Sequence, residues 1–580
     1  MNSSVHTSER QDLQNQITRL HENRDLWKNM SAQEKLSILN KMLENTQNID
    51  HQQWGKASIH QQGYDPESSC GQQLGSSEQM VNAATIVGTL RSLIRTYTSL
   101  SETEAPPILT KMTDRTDSRT VLKVFPYDFS DKVGGPLGVA GVTGELWIEE
   151  GQKPTQSFNP NGKLSLVLGA GNQSFLAFGD VMHEMFIKGN LCILKHHPVR
   201  GFSAPFYEQL FSDLIDAGFF ISVKGDIELS QWLCHHEFVQ AVHMTGGTAT
   251  HDAIVWGPHP EQNENKKNNT PVLKKTMTSE LGCITPWIIC SGAQWTDKEL
   301  EHHAQHLAMS FISQNSCNCL SPKLLVLDED WPQKHIFIEH LKNYLAKAPT
   351  PPPYYPGTEK RYSGFKDAYT QAEIELISSP TSPARNHDYG APLPWMLLHL
   401  TPQSDRYALQ NEAFAPILAI YSFKGENRSD VFLEKAVDLV NNHVWGTLSC
   451  TLIAHKNIQN EHPETVEKAI SDLRYGAIAV NSWTAMVYTM DGCVWGAYPG
   501  EKLDNVASGI GFVRNAFMVD HIEKAVLRAP FINSAQLKIS KSGTSPLSAV
   551  QFQALSNLVV RPNAWNMAKV GWHMAFSKSN

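Results

Sequence analysis

From Gly162 onward the chain alternates short apolar runs with amphipathic ones, and this alternation limits its fold more than any other feature. Leu164–Leu168 reads as a strand, 175–188 as a helix stopped by Gly189, and Leu191–Lys195 as the next strand. Residues 204–217 then read as a helix stopped by Gly218, 219–223 and 239–244 as strands, and 248–255 as a helix opened by Gly246-Gly247. The pattern resumes with a strand at 287–290, a helix at 297–311 and a strand at 323–327. Strands alternating with glycine-stopped helices predict an α/β fold: a parallel sheet covered by helices on both faces.

Outside this region the texture differs. The first fifteen or so residues are polar and read as disordered. Ser31-Ala-Gln-Glu34 reads as a capping box that opens a helix carrying Leu36, Leu39 and Leu43 on one face, and a second amphipathic helix covers 79–96. Residues 120–150 place Val, Phe, Tyr and Trp between glycines, as in a β-hairpin or meander. Residues 349–357, Pro-Thr-Pro-Pro-Pro-Tyr-Tyr-Pro-Gly, can be neither a helix nor an inner strand.

At 580 residues the chain is long enough for two or more cores. A net charge of −9 without a Lys/Arg block gives no electrostatic footprint for nucleic acid or an anionic membrane, so neither partner is expected. The polar start shows no signal peptide and no apolar run reaches the length of a membrane span, so no membrane partner is predicted. Nine scattered cysteines fit reduced thiols in a cytoplasmic protein.

Four short segments can carry chemistry. Gly169-Ala-Gly-Asn172 follows a strand and opens a helix, where the Asn172 amide can donate to a developing oxyanion. Met244-Thr-Gly-Gly-Thr248 repeats that geometry, its glycines letting a phosphate approach free backbone N–H groups. Glu280, between apolar stretches, reads either as a buried hydrogen-bonded carboxylate or as a general base of raised pKa. Cys317 and Cys319 lie in the polar loop 313–322, a place to expose a nucleophile. For any two cysteines the commoner reading is small buried residues, and with no second ligand pair nearby no metal is expected.

Taken in order, these segments resemble the aldehyde dehydrogenase superfamily, from about Leu164 to Gly500. Asn172 falls where the family's Trp-Asn-Phe-Pro asparagine belongs, and Asn190-Leu-Cys-Ile-Leu-Lys195 is similar to its Gly-Asn-x-Val-Val-x-Lys strand. Met244-Thr-Gly-Gly-Thr248 is similar to Phe-Thr-Gly-Ser-Thr, Glu280-Leu-Gly-Cys283 to Glu-Leu-Gly-Gly, and Cys319-Leu-Ser-Pro322 to the Cys-x-x-Pro nucleophile loop. Glu412-Ala-Phe-Ala-Pro416 resembles Glu-x-Phe-Gly-Pro, and Gly476-Ala-Ile-Ala-Val-Asn481 the family's Gly-x-Val-x-Val-Asn strand. The resemblance implies a Rossmann-like cofactor domain (1–119 and 151–279), a β-hairpin oligomerisation segment (120–150), a catalytic α/β domain (280–490) and a C-terminal segment (491–580), which keeps a reduced closing motif at Trp495–Gly500 and has no family counterpart beyond it. It also implies a homodimer or homotetramer.

The implied activity is NAD- or NADP-dependent oxidation of a small-molecule aldehyde to a carboxylic acid. Cys319 would be the nucleophile, Cys317 the alternative, Glu280 the general base and Asn172 the oxyanion donor. Lys195, Gly246, Gly247, Glu412 and Phe414 would hold the cofactor. The family's Asn-x-Gly-Gln before the cysteine is missing here, and Cys319 is preferred because it keeps the proline register. A CoA-acylating relative and a catalytically degraded binding protein are the alternatives; Glu280 argues for hydrolysis. No acidic residue lies within 195–199, so both cofactors are expected, with NADP favoured if His196 and His197 charge as pH falls through about 6.5. His302 and His306, one turn apart, read as a solvated helix face.

Overall fold

In the computed structural model the described residues are 2–112, 119–128, 131, 141–380, 388–490, 492–533 and 547–576. Two sheets organise them. The smaller runs Gly509–Ile510, Thr276–Glu280, Ala241–Thr245, Leu164–Leu168, Leu191–Lys195, Phe220–Val223, with every pairing parallel except the first. Its chain order turns back between Leu164–Leu168 and Ala241–Thr245, and such a reversal opens a crevice at the carboxyl ends of the strands. Asn172 and Gly246 flank that crevice.

The larger sheet has 11 strands among the described residues. Its parallel centre is Ile522–Arg528, Ala477–Val480, Ser449–Ile453, Pro286–Ile289, Leu324–Asp328, Ile417–Phe423 and Trp395–Leu400, with Ile374–Ile377 closing one edge. The hairpin read at 120–150 is present as Val121–Phe125 paired antiparallel with Thr143–Ile148; residues 129–130 and 132–140 lie outside the described residues. Thr143–Ile148 pairs in turn with Ile522–Arg528, so the hairpin extends the sheet of the same chain.

Each central strand is buried along its length, as expected where helices cover both faces. The helix Asp297–Ile312 is started by a Thr296/Glu299 capping box and leads into the cysteine loop.

Three expectations change. The N-terminus is helical over Asn2–Glu22; Leu13, Ile17 and Leu20 are buried, and Arg19 Nη2 donates to the Asp216 carbonyl at 2.7 Å. His302 and His306 are buried, not solvated, and the His306 ring stands 5.1 Å from Trp287. The 204–217 helix is broken at Phe211 into Ala204–Leu210 and Ser212–Ala217. The capping box at Ser31 and the glycine stop at Gly218 (φ 74°) stand as read. The helix read at 79–96 is the middle of a longer one, Ser69–Thr103.

Candidate active site

Glu280 ends the strand Thr276–Glu280, at the boundary between the two sheets, and is almost fully buried. The C-terminal segment holds it there: Gly509 pairs with Glu280, the Leu281 amide donates to the Ser508 carbonyl at 2.8 Å, and Ser508 Oγ donates to the Gly282 carbonyl at 2.8 Å. Gly509 has φ 120°, and a Cβ there would stand 2.0 Å from the Ser279 carbonyl oxygen, so only glycine fits this crossing.

The cysteine loop lies opposite, and it is buried where the sequence suggested exposure: Cys319 is 8% exposed and Cys317 1%. Gln314, Asn315 and Ser316 all have left-handed backbone (φ 55°, 56° and 61°), a conformation costing roughly 1–2 kcal/mol per non-glycine residue. Packing offsets the cost. Asn315 Nδ2 donates to the Gln62 and Pro352 carbonyls and its Oδ1 accepts from Tyr64, Gln314 donates to Glu78, and Ser316 bonds Ser321. Segments from the first hundred residues thus shape a turn 236 to 253 residues away in sequence.

The turn aims the two thiols in different directions. Cys319 Sγ stands 3.4 Å from Glu280 Oε1, as its donor. The Cys319 carbonyl accepts from Thr285 Oγ1 at 2.6 Å, and the Leu320 carbonyl from Trp483 Nε1 at 2.7 Å. Cys317 Sγ donates instead to the Phe414 carbonyl at 3.4 Å and faces Thr358 Oγ1 at 3.6 Å, in a small cluster with Val199 and Tyr354. Cys319 meets the carboxylate; Cys317 does not.

Burial, and then the negative charge of Asp180, raises the Glu280 pKa to about 7. Its Oε2 has no hydrogen-bond partner. Burial, and then the charge of Glu280, lifts the Cys319 thiol well above its ordinary value, while burial lifts Cys317 to about 11. Both thiols are therefore neutral at pH 7.

Lys323 is nearly fully buried; its Nζ donates to the Asn318 carbonyl at 2.7 Å and the Ser321 carbonyl at 3.1 Å, and lies 3.4 Å from Glu412 Oε1. Glu412 also accepts from the Cys283 amide at 3.2 Å. It packs against Gly282, where a Cβ would come within 1.9 Å of Glu412 Oε2. The Phe414 ring is 4.9 Å from Tyr355, which comes from the proline-rich segment.

Asn172 is buried in the loop after Leu164–Leu168. Arg200, missed in the sequence, fixes that loop: its guanidinium donates to the Gly171 carbonyl at 3.1 Å, to the Asn172 carbonyl and to Ser58 Oγ at 2.8 Å, and it reaches Gln314 Oε1 at 3.5 Å. The same guanidinium therefore ties the Asn172 loop to the cysteine turn.

Gly246 and Gly247 are exposed at the start of Thr248–Trp256, which has no side-chain cap. Lys195 ends its strand largely buried, and burial lowers its pKa. The two histidines that follow it are turned to structural use. His196 bonds Ser222 Oγ at 2.9 Å and His197 accepts from the Val199 amide at 3.2 Å. Burial lowers both pKa values to about 4, so neither brings positive charge to the crevice between pH 6 and 8.

Residues 166–496, more than half of the chain, match the model of the aldehyde dehydrogenase family. The chain belongs to the aldehyde dehydrogenase family. It is similar to 4-trimethylaminobutyraldehyde dehydrogenase A of Danio rerio, 23% identical over 312 residues that make up 51% of this chain and 54% of that one. The match thus spans about half the length of this curated relative. In three dimensions it resembles the NADP-dependent glyceraldehyde-3-phosphate dehydrogenase of Bacillus halodurans C-125, solved with NADP, at a TM-score of 0.58 and 15% identity over 90% of this chain and 91% of that one. It also resembles an NAD-dependent aldehyde dehydrogenase from Sinorhizobium meliloti, at a TM-score of 0.56 and 16% identity over 88% and 86% of the two chains. These likenesses carry the aldehyde dehydrogenase fold across nearly the whole chain, well beyond the family match.

The sequence pointed to Glu280 and Cys319 as partners. Lys323, Arg200 and Asp180 had no local signal beyond being single charges in apolar surroundings. The clamp of Ser508 and Gly509 on Glu280 was marked only by the Gly509-Ile-Gly511 pattern.

Proposed function

We propose that this chain is an NAD(P)-dependent aldehyde dehydrogenase that oxidises a small-molecule aldehyde to its carboxylic acid, with Cys319 as nucleophile. The observation that carries this reading is the 3.4 Å contact between Cys319 Sγ and Glu280 Oε1 inside a buried site. A neutral thiol needs a base before it can attack a carbonyl, and a carboxylate with a pKa of about 7 accepts protons near neutral pH. Glu280 takes the thiol proton as sulfur bonds to the carbonyl carbon. The Asn172 amide and the Cys319 amide stabilise the resulting oxyanion, one such donor being worth about 2.7–4 kcal/mol.

When bound, the nicotinamide dinucleotide supplies the hydride acceptor that converts the thiohemiacetal to a thioester. The proton taken from the thiol passes from Glu280 to solvent; Glu280 then takes a proton from water through Oε2, and as hydrolysis releases the acid that proton returns to the Cys319 sulfur and restores the thiol.

The crevice suits the adenosine and diphosphate half of such a cofactor. Helix Thr248–Trp256 begins at Gly247 without a side-chain cap, the Gly246 amide being engaged by the Glu280 carbonyl at 3.0 Å, and a Cβ on Gly247 would meet nothing within 4 Å. Lys195 would hold the adenosine ribose, and Glu412 and Phe414 the nicotinamide end. No acidic residue lies within 195–199 to repel a 2′-phosphate, and the one carboxylate that acts on Lys195, Asp226, is exposed, so both NAD and NADP are retained. The pH-dependent preference expected from His196 and His197 drops out, since both stay neutral. Assembly through the 120–150 hairpin, as a homodimer or homotetramer, belongs to the same reading.

Absorbance of the reduced nicotinamide, followed with a panel of aldehydes and each cofactor, tests the proposal. Turnover without CoA is expected. Dependence on CoA would replace hydrolysis by acyl transfer, and silence across the panel with either cofactor would contradict the reading.

A further inference from the structure

The last described helix, Ala564–Phe576, carries an apolar face that the other described residues leave uncovered. Its packing contacts lie on another side. Asn566 Nδ2 donates to the Asn557 and Arg561 carbonyls at 3.2 and 2.8 Å, Gln551 Nε2 donates to the His573 carbonyl at 3.2 Å, and Val570 packs on Met80, Phe552 and Leu555. Trp565, Trp572 and Phe576, at spacings of seven and four residues, share another face and are 69%, 64% and 69% exposed. The Trp572 and Phe576 rings lie 4.6 Å apart, tilted by 43°, and Lys569 Nζ lies 5.3 Å over the Trp565 ring. Met567 and Met574 widen the exposed apolar arc.

Charge says what fits this face. From Ala529 to Asn580 the sequence has no Asp or Glu, against Lys538, Lys541, Arg561, Lys569 and Lys578, in a chain whose net charge is −9. Around the helix, Arg561 donates to the Gln47 carbonyl and exposed Arg91 to the Val559 carbonyl at 3.2 Å. Exposed tryptophans among cations, on a helix of 13 residues, are the chemistry of an element lying in the headgroup region of an anionic bilayer. Such a helix is too short to span, and no described helix is long and apolar enough to cross a membrane. A two-fold contact with its axis at Lys569 would set that lysine against its own copy.

We propose that the face of Trp565, Trp572 and Phe576 docks this protein onto the surface of an anionic lipid membrane. The full chain is sedimented with vesicles of phosphatidylcholine alone and with about 30% phosphatidylglycerol, at low and high salt. The chain is expected to sediment with the anionic vesicles and to be released by salt. Trp565→Ser/Trp572→Ser/Phe576→Ser is expected to lower partitioning at least about tenfold. Lys569→Glu, a surface change that leaves the aromatic face intact, is expected to weaken binding to anionic vesicles about three- to tenfold and to neutral ones little. Circular dichroism melting checks that both variants fold, and Lys569→Glu with the salt series carries the test if the triple variant does not. Failure of the wild-type chain to sediment, or sedimentation indifferent to lipid charge and to the substitutions, overturns the proposal. So does light scattering that shows an oligomer dissociated by the triple substitution while vesicle binding persists, which would make the face a contact between copies.

Discussion

Cys317 and Cys319 stand two residues apart in one loop, in opposite surroundings. Cys319 faces a carboxylate and Cys317 a backbone carbonyl, and both are buried. Nothing in their side-chain chemistry separates them. The separation comes from the left-handed turn at Gln314–Ser316, which fixes the path of the loop, and from the strand end that delivers Glu280. A nucleophile is thus defined here by what the fold sets against it: a thiol beside a base can be activated, and one beside a carbonyl can only be packed.

The largest test of that contrast is substitution of each thiol. Cys319→Ala should lower kcat/KM for aldehyde oxidation by at least about 10⁴-fold, while Cys317→Ala should stay within about tenfold of the parent enzyme. Next comes the base. Glu280→Gln should reduce steady-state turnover by about 10²–10⁴, measured against a burst of reduced cofactor in stopped flow. A burst slowed together with turnover places Glu280 at the thiol-activation step; an unchanged burst restricts it to hydrolysis.

Lys323 braces both sides of the contrast, since it ties the Asn318 and Ser321 carbonyls to Glu412. Lys323→Met should lower kcat about ten- to a hundredfold and shift thermal unfolding downward, because it leaves a half-buried carboxylate and two carbonyls unpaired. A variant with normal kcat and a lowered melting temperature would make Lys323 purely structural.

The smallest effect concerns pH. A Glu280 pKa raised to about 7 means that the base is half ionised there and protonated below, so kcat/KM should fall as pH drops through 7. Asp180 helps raise that pKa, and Asp180→Asn should move the inflection downward. An inflection unmoved by Asp180→Asn would leave burial as the sole cause.

Much of this was legible in the sequence where the signal is local. Glycine-stopped alternation marked the strands around the crevice because each helix must end before the next strand begins. Glu280 was visible as a charge among apolar residues, and Cys319 through its proline register. What stayed hidden depends on contacts far apart in sequence. The N-terminal helix is polar and becomes credible only through burial of Leu13, Ile17 and Leu20 against the rest of the fold. His302 and His306 look solvated by composition, yet the surrounding Trp287, Trp295 and Phe531 enclose that helix. The clamp of Ser508 and Gly509 on the Glu280 strand comes from a segment 226 residues later, and the Gly509-Ile-Gly511 pattern that marks it does not say what it meets.

The central claim is that the acyl group is carried on Cys319. Acid quench of the parent enzyme within its first turnover with aldehyde and cofactor, followed by mass spectrometric fragmentation of the peptide containing both cysteines, reads the modified atom directly. The account predicts an acyl adduct confined to Cys319; an adduct on Cys317 would contradict it.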